Sequence, residues 1–316
     1  MLAGYPLKLN WVDTAGSINP EHLVNYLETI YFDLSVTRPY SLTWNINLGD
    51  TTLAPTEEFY RLFQNAKNWY ELTKGAVNPG LMAFSWSQGL YNADTTGRAG
   101  EIRSFKGTPL SDFAKAELKL RKGKEAGLSG GKESGAVSAL ENYYISLPAG
   151  LLLDFEALLP AFLVDLAAEY FATADIDNYF IQVGSVCRAA GIRENKKPWK
   201  VSAFPETHPT DTAFQFVLNE EALFNFPPVE YFINGDKRNS FRWVHPMGHS
   251  PMHFEGEGCM VISGDAVSAV ALSWYLFLLG PEGFSEPIRE FPEAKLMFWK
   301  KSPAGEISYF RFPPRF

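Results

Sequence analysis

Three of the chain's five histidines share one short stretch, HPMGHSPMH, in which His245, His249 and His253 recur at every fourth residue. On a helix that spacing would stack three imidazoles on one face, the arrangement from which a zinc-like centre is built. Pro246, Gly248 and Pro251 interrupt the stretch, and a regular helix does not run through them. A loop with incidental histidines is therefore the competing reading. A second candidate is SGGKES at 129–134, whose glycines and hydroxyls have the composition of a phosphate-gripping loop. Such a loop follows a buried strand that aims its amides at the phosphates. Here KGKEAGL precedes it, and Ala126 stands where P-loop spacing needs Gly, so a flexible linker is expected.

Composition narrows the class of partner. A formal net charge of −8 lacks the clustered positive charge of a nucleic-acid footprint, so no nucleic acid is expected. The longest apolar run, around Trp274 to Leu279, is far short of the ~20 residues of a membrane span. Cys187 and Cys259 make neither a disulfide framework nor a zinc signature, though one disulfide stays open. The opening MLAGYPLKLNW has no charged segment leading into an apolar one. As written the chain is expected in the cytoplasm, and exported only where a signal once preceded it.

The elements that would position any chemistry follow from periodicity. Residues 20–33 and a stretch from the N-cap-like Thr56 to before Gly75 place apolar residues at helical spacing, and SLTWNINLG between them alternates like a strand. Residues 111–124 read as an amphipathic basic helix, most simply a solvated face, and 125–135 as a flexible connection. Strand-like residues 143–154, an apolar helix over 156–173 and a buried strand over 178–186 come next. Strands follow at 199–204 and 213–218. VISGDAVSAVALSWYLFLLG reads as a strand running into a helix that Ser263 and Asp265 start and Gly280-Pro281 stops. Asp265 could instead ligate a metal, but a helix-start role is favoured. AKLMFWK and ISYFRF are the last strands. Without a regular βαβ rhythm, the fold class is α+β.

In order along the chain, these segments resemble the motifs of the ApbE family of FAD:protein FMN transferases, from about residue 23 to about 300. DLSVTRPYSLTWNIN keeps Ser35, Ser41 and Asn45 in register with a Ser-x-Tyr…Ser…Leu-Asn stretch. TKGAVNPG keeps Thr73, Gly75 and Pro79, with Val77 and Asn78 at a Phe-Asp pair. LLLDFEALLPAFLVD keeps Asp154, Val164 and Asp165, while Glu156 replaces a Gly, Pro160-Ala161 a Lys-Gly, and Phe162 a Tyr. Gly184 remains of a Gly-Gly-Asp, with Ser185 and Val186 beside it, and Pro198, Trp199, Val201 and Pro205 match a Pro-Trp-x-Val…Pro motif. The Thr-Ser-Gly motif expected near NFPPVEY is absent. In RWVHPMGHSP, Pro246 and Pro251 survive, but Arg242 stands for a His, His245 for an Asp, Gly248 for a Thr and His249 for a Gly. On the last helix the two Mg²⁺ ligand positions are Val270 and Trp274, neither of which offers an oxygen.

The resemblance implies ApbE-like mixed sheets flanked by helices around a central cleft, as one domain over 1–316 with a seam at 125–135. Family members move the FMN half of FAD onto a Thr hydroxyl and release AMP, with Mg²⁺ on the phosphates and a His as base. The position of that base is Arg242, which stays protonated and cannot act as one. Cleft positions implied for the cofactor are Ser35, Asn78, Leu159, Pro160 and Gly184. The others are Ser185, Arg242, His245, Gly248 and Trp274. Trp243, Trp274 and Tyr275 could stack a ligand ring or fill a core. With so many polar motif positions replaced, the expectation is a catalytically inactive relative binding an unknown small molecule or protein partner in the former flavin cleft. No cofactor or metal is expected, FAD and Mg²⁺ only if the family activity survives. The alternatives are an active Mg-dependent transferase using displaced ligands, and a metal-dependent enzyme built on the His245/His249/His253 loop.

Overall fold

A computed structural model describes residues 2, 5–12, 18–50, 52–81, 113–120, 142–203, 214–226, 257–280, 289–302 and 306–313. In chain order these form β1 (Leu7–Trp11), α1 (Pro20–Leu34), α2 (Leu42–Asn47), α3 (Glu57–Leu72), a 3₁₀ turn (Phe113–Lys115), β2 (Glu117–Leu120) and β3 (Tyr143–Ser146). Then come α4 (Leu159–Thr173), β4 (Tyr179–Val183), β5 (Val186–Ala190), β6 (Trp199–Ala203), β7 (Phe214–Leu218) and β8 (Glu221–Phe226). The chain ends with β9 (Glu257–Ser263), α5 (Ala266–Leu279), β10 (Lys295–Lys301) and β11 (Ile307–Phe312). The class is α+β, as expected. Two compact units share the chain: Met1–Leu27 with Pro160–Ser240 and His253–Phe316, and Glu28–Leu159 with Phe241–Met252.

The first unit is a seven-stranded sheet in the order β1-β4-β5-β8-β9-β10-β11, every neighbouring pair antiparallel. Its inner strands β4, β5, β8 and β9 read as apolar runs because both of their faces are covered. Under the two-stranded β6–β7 ribbon lie Phe180, Cys187, Leu223, Met260, Met297 and Trp299. On the opposite face α5 packs on β5, β8 and β9, and Phe171 of α4 stacks on Tyr179, ring centroids 5.3 Å apart. Gly258 pairs with Trp299 across β9 and β10. A Cβ there would come 2.3 Å from the indole, so only glycine leaves room for it. Cys187 and Cys259 are buried free thiols, both pushed up from the ordinary value by burial, Cys187 to about 12.

The second unit is organised by aromatic packing. Phe59 meets Phe155 edge-on at 5.6 Å, and Phe63 and Tyr70 meet Phe113 in the same way. Thr56 caps α3 by accepting the Phe59 N–H, as its sequence predicts. SLTWNINLG is a helix rather than the expected strand. Ser41 accepts the Trp44 N–H and nucleates α2, and the apolar alternation buries Leu42, Trp44 and Ile46 around a single short helix. Of residues 111–124, those described, 113–120, form the 3₁₀ turn and β2 rather than the expected basic helix. There the alternation of Glu117, Leu118, Lys119 and Leu120 is satisfied by pairing with β3. The loop 125–135, with SGGKES, lies outside the described residues. Among the described residues, no helix is long and apolar enough to cross a membrane.

Asn47 ties α2 to the segment before α4. Its amide nitrogen donates to Leu153 O at 2.8 Å and its Oδ1 accepts the Leu153 N–H at 2.7 Å. Both groups are buried, so removing the amide strands a donor and an acceptor together. Asn47→Ala is expected to lower unfolding free energy by about 2–4 kcal/mol. A urea titration followed by circular dichroism reads this, and an unchanged midpoint would show that the pairing contributes nothing.

Candidate functional site

The start of α5 is where sequence placed a helix-capping Asp and, five and nine residues beyond it, the two lost metal positions. Asp265 is the N-cap: it accepts the Ser268 N–H at 2.7 Å and the Ser268 hydroxyl at 2.6 Å. A second carboxylate completes the end. Asp165, on α4, accepts the Ala266 N–H at 2.9 and 3.0 Å and the Val267 N–H at 3.0 Å, and it holds Arg188 Nη1 of β5 at 2.7 Å. The first-turn amides of α5, which in an open helix would attract an external anion, are thus taken by the protein's own carboxylates. Burial pushes the Asp165 carboxyl up to about 6, against the downward pull of the Ala266 amide and of Arg188. Burial also works against the Arg188 charge, but Asp165 beside it prevails and raises it.

Farther along α5, Val270 is 1% exposed and Trp274 6% exposed. Trp274 packs against Phe226 with ring centroids 4.9 Å apart, and Phe226 in turn meets Phe277 at 4.8 Å. The Ser273 hydroxyl beside them is also buried and donates to Val270 O at 2.7 Å, within its own helix. These side chains do not fit a hard divalent cation, which needs several oxygen ligands. Among the described residues no group of three or more His, Cys, Asp or Glu could hold a metal ion. Of the aromatic residues expected either to stack a ring or to fill a core, Trp274 and Tyr275 are buried, and Trp243 lies outside the described residues.

In the second unit the expected cleft residue Ser35 is fully buried at the end of α1. Its Oγ donates to Glu156 Oε1 in a short hydrogen bond and lies 2.8 Å from Thr37 Oγ1. Tyr31 joins the same network, its phenol pushed up by burial first and by the Glu156 charge second. Asn78 accepts the Gly80 N–H at 2.9 Å, closing a turn whose Pro79 O accepts the Asp154 N–H at 2.7 Å. Ser35 and the turn closed by Asn78 thus bond one segment, through Glu156 and Asp154 respectively. Leu159 is buried at the start of α4, where its N–H already bonds Phe155 O, and Pro160 beside it has no N–H to offer.

Gly184 and Ser185 form the two-residue turn of the β4–β5 hairpin, with Gly184 at φ +59°. The sequence read 178–186 as one strand because both arms are apolar. Arg242, His245, Gly248, His249 and His253 lie outside the described residues. Glu156 was read only as a departure from a motif Gly, and Arg188 and Asn47 are what the sequence reading missed. Nothing local marks these two.

A model of the ApbE family matches residues 5–298. The curated FAD:protein FMN transferase of Treponema pallidum (strain Nichols) is 22% identical over 266 residues, covering 80% of this chain and 68% of the relative. Among solved structures, flavin transferase ApbE from Vibrio cholerae superposes with a TM-score of 0.68 at 14% identity, over 98% of this chain and 94% of the other. The ApbE protein from Thermotoga maritima does so with 0.66 at 18% identity, over 96% of each chain.

The raised Asp165 carboxyl makes a pH prediction. It titrates near 6 folded and near 4 unfolded, so the folded state holds the proton longer. Stability from this group is fully present below pH 4 and is lost as pH rises through 6, a loss of about 3 kcal/mol. Asp165→Asn cannot ionise, so it removes this slope. The difference in unfolding free energy between wild type and variant is therefore expected to shrink from pH 4 to pH 7. A difference that stays flat or grows across that window would mean Asp165 does not titrate there.

Proposed function

The chain belongs to the ApbE family, and from that premise we propose that it keeps the family scaffold without transferring FMN, serving instead to bind a small molecule or a protein partner. The observation that carries the reading is the burial of Val270 and Trp274 in the apolar core of the first unit. Moving the FMN half of FAD breaks a pyrophosphate, so charge must be neutralised on the phosphates and a hydroxyl must be activated. Where the resemblance places the two cation ligands, this chain presents a valine methyl pair and an indole packed on Phe226. Where it places a base, the residue is Arg242, which holds its proton.

Three further features support the reading. The amides at the start of α5 are occupied by Asp165 and Asp265. The Gly of the α4 motif is Glu156, whose carboxylate already engages Ser35. Pro160 stands where the motif has Lys, so neither a cation nor an N–H is available at that residue. The competing reading, an active transferase with displaced ligands, draws on the name of the curated relatives, FAD:protein FMN transferase.

One incubation separates the two readings. Purified protein mixed with FAD and Mg²⁺ is expected to release no AMP above a protein-free control and to retain no Mg-dependent flavin after desalting. AMP release that requires both protein and Mg²⁺ would overturn the proposal. Trp274→Ala serves as a companion, expected to lose about 3–5 kcal/mol of stability because a packed indole is removed from a core. An unchanged thermal midpoint for that variant would mean the indole is not a core residue.

A further inference from the structure

β11 is the last strand of the seven-stranded sheet, and among the described residues no strand pairs with its outer edge. Across the β10–β11 hairpin the Ser302 N–H donates to Glu306 O at 2.7 Å. Antiparallel ladders alternate, so the even-numbered residues of β11 bond β10, while Tyr309 and Arg311 turn their N–H and C=O groups to the outer side. Native sheets blunt such an edge with charge, proline or a covering element. Within ISYFRF the one charge is Arg311, and its guanidinium lies back over the rings of Tyr309 and Phe214, 5.1 Å from each.

Two aromatic side chains flank that edge, one on each face of the sheet. Tyr309 pairs with Trp299 on the face beneath the β6–β7 ribbon, and its ring meets Phe214 edge-on at 5.7 Å. Phe310 pairs with Phe298, which pairs in turn with Cys259, whose Sγ donates to Ser273 O of α5. Phe310 is therefore on the helix face. Despite these neighbours Tyr309 is 54% exposed and Phe310 50% exposed. The strand thus presents an outward backbone ladder, two half-exposed rings and a cation already seated against one of them. Because Tyr309 and Arg311 both lie on the ribbon face and both turn their backbone groups outward, the strand is its own complement.

We propose that β11 is a dimerisation strand, pairing antiparallel with β11 of a second copy of this chain about a two-fold axis through Phe310. A two-fold perpendicular to the sheet keeps the ribbon face on the same side in both copies. In this register Tyr309 of each copy faces Arg311 of the other, and the two exchange the backbone bonds that neither makes with β10. The Phe310 rings meet on the axis as a non-hydrogen-bonded pair, the closer kind, on the helix face. Centred on Tyr309 instead, Arg311 would face Ile307 and Phe310 would face Ser308, and both pairings would be lost. An extended segment of unrelated sequence satisfies the ladder alone. A second copy satisfies the ladder, the cation and the rings together.

Sedimentation velocity of the full chain between about 1 and about 200 μM is the test, since a short edge-to-edge contact gives a weak dimer. Wild type is expected to shift from monomer to dimer across that range. Phe310→Lys sets two ammonium groups against each other and is expected to weaken the dimer at least about tenfold. Arg311→Pro removes an outward N–H without touching the bonds to β10, and the same loss is expected. Circular dichroism checks that both variants are folded. The register has its own readout. Under mild oxidation Phe310→Cys is expected to form a covalent dimer, whereas Ser308→Cys is not, because residue 308 of each copy faces Phe312 of the other. Cys187 and Cys259 are buried and stay out of the exchange. The proposal is overturned if wild type stays monomeric at about 200 μM, the result expected of an edge that takes a segment of another protein. It is equally overturned if folded Phe310→Lys dimerises as wild type does, or if Ser308→Cys cross-links as readily as Phe310→Cys.

Discussion

A single carboxylate ties together three elements of the first unit. Asp165 of α4 reaches the opening amides of α5 and the guanidinium of Arg188 on β5. Without it, α5 would begin against the sheet with unpaired N–H groups, and Arg188 would sit as an uncompensated charge. The cost of keeping Asp165 ionised in that setting is visible in its raised pKa. Arg188 faces the helices because β5 alternates, sending Cys187 and Ala189 beneath the β6–β7 ribbon and Arg188 to the other side. Sheet register therefore determines which residue can complete the clasp.

The motif positions that survive in this chain, where the structure describes them, are mostly those whose atoms hold backbone. Ser41 caps α2 and pins Ser35, and Thr73 bonds Trp69 O and the Val77 N–H at the end of α3. Asp154 closes the turn before α4, Gly184 makes a hairpin, and Trp199 donates its indole N–H to Ala190 O at 2.9 Å. Each loss would strand a buried polar group or force a backbone out of its allowed region. A position that faces a ligand carries no such penalty once the ligand is not bound. Val270 and Trp274 fit that account, since apolar side chains there pack with Phe226 and add to the core.

Elements with a strong period or an explicit cap were legible in the sequence: α1, α3 with Thr56, α5 with Asp265, and the strands at β6, β7, β10 and β11. SLTWNINLG was misread because a six-residue helix is too short to express its period, and its identity rests on Ser41 rather than on hydrophobic spacing. The β4–β5 hairpin was hidden because strands buried on both faces do not alternate, so the turn at Gly184 was the only break. Of the candidate site, the capping role of Asp265 was legible, while Glu156 was seen only as a departure. Its partner is 121 residues away. Asn47 to Leu153 and Arg188 to Asp165 are likewise tertiary pairs with no local signature.

The two carboxylate sites express one physical theme within separate units. In the first, Asp165 and Asp265 saturate the amides at a helix start. In the second, Glu156 accepts the Ser35 hydroxyl, which lies beside that of Thr37. Donors of both kinds are what a protein offers to a phosphate, because they need no charge of their own and are fixed before the ligand arrives. A carboxylate supplied from the same chain is present at an effective concentration that a dissolved anion rarely reaches. An external anion must therefore displace a tethered one, and the two tethers differ. Asp165 is shared with Arg188, so its departure would strand a charge, whereas Glu156 takes the hydroxyl of the uncharged Ser35.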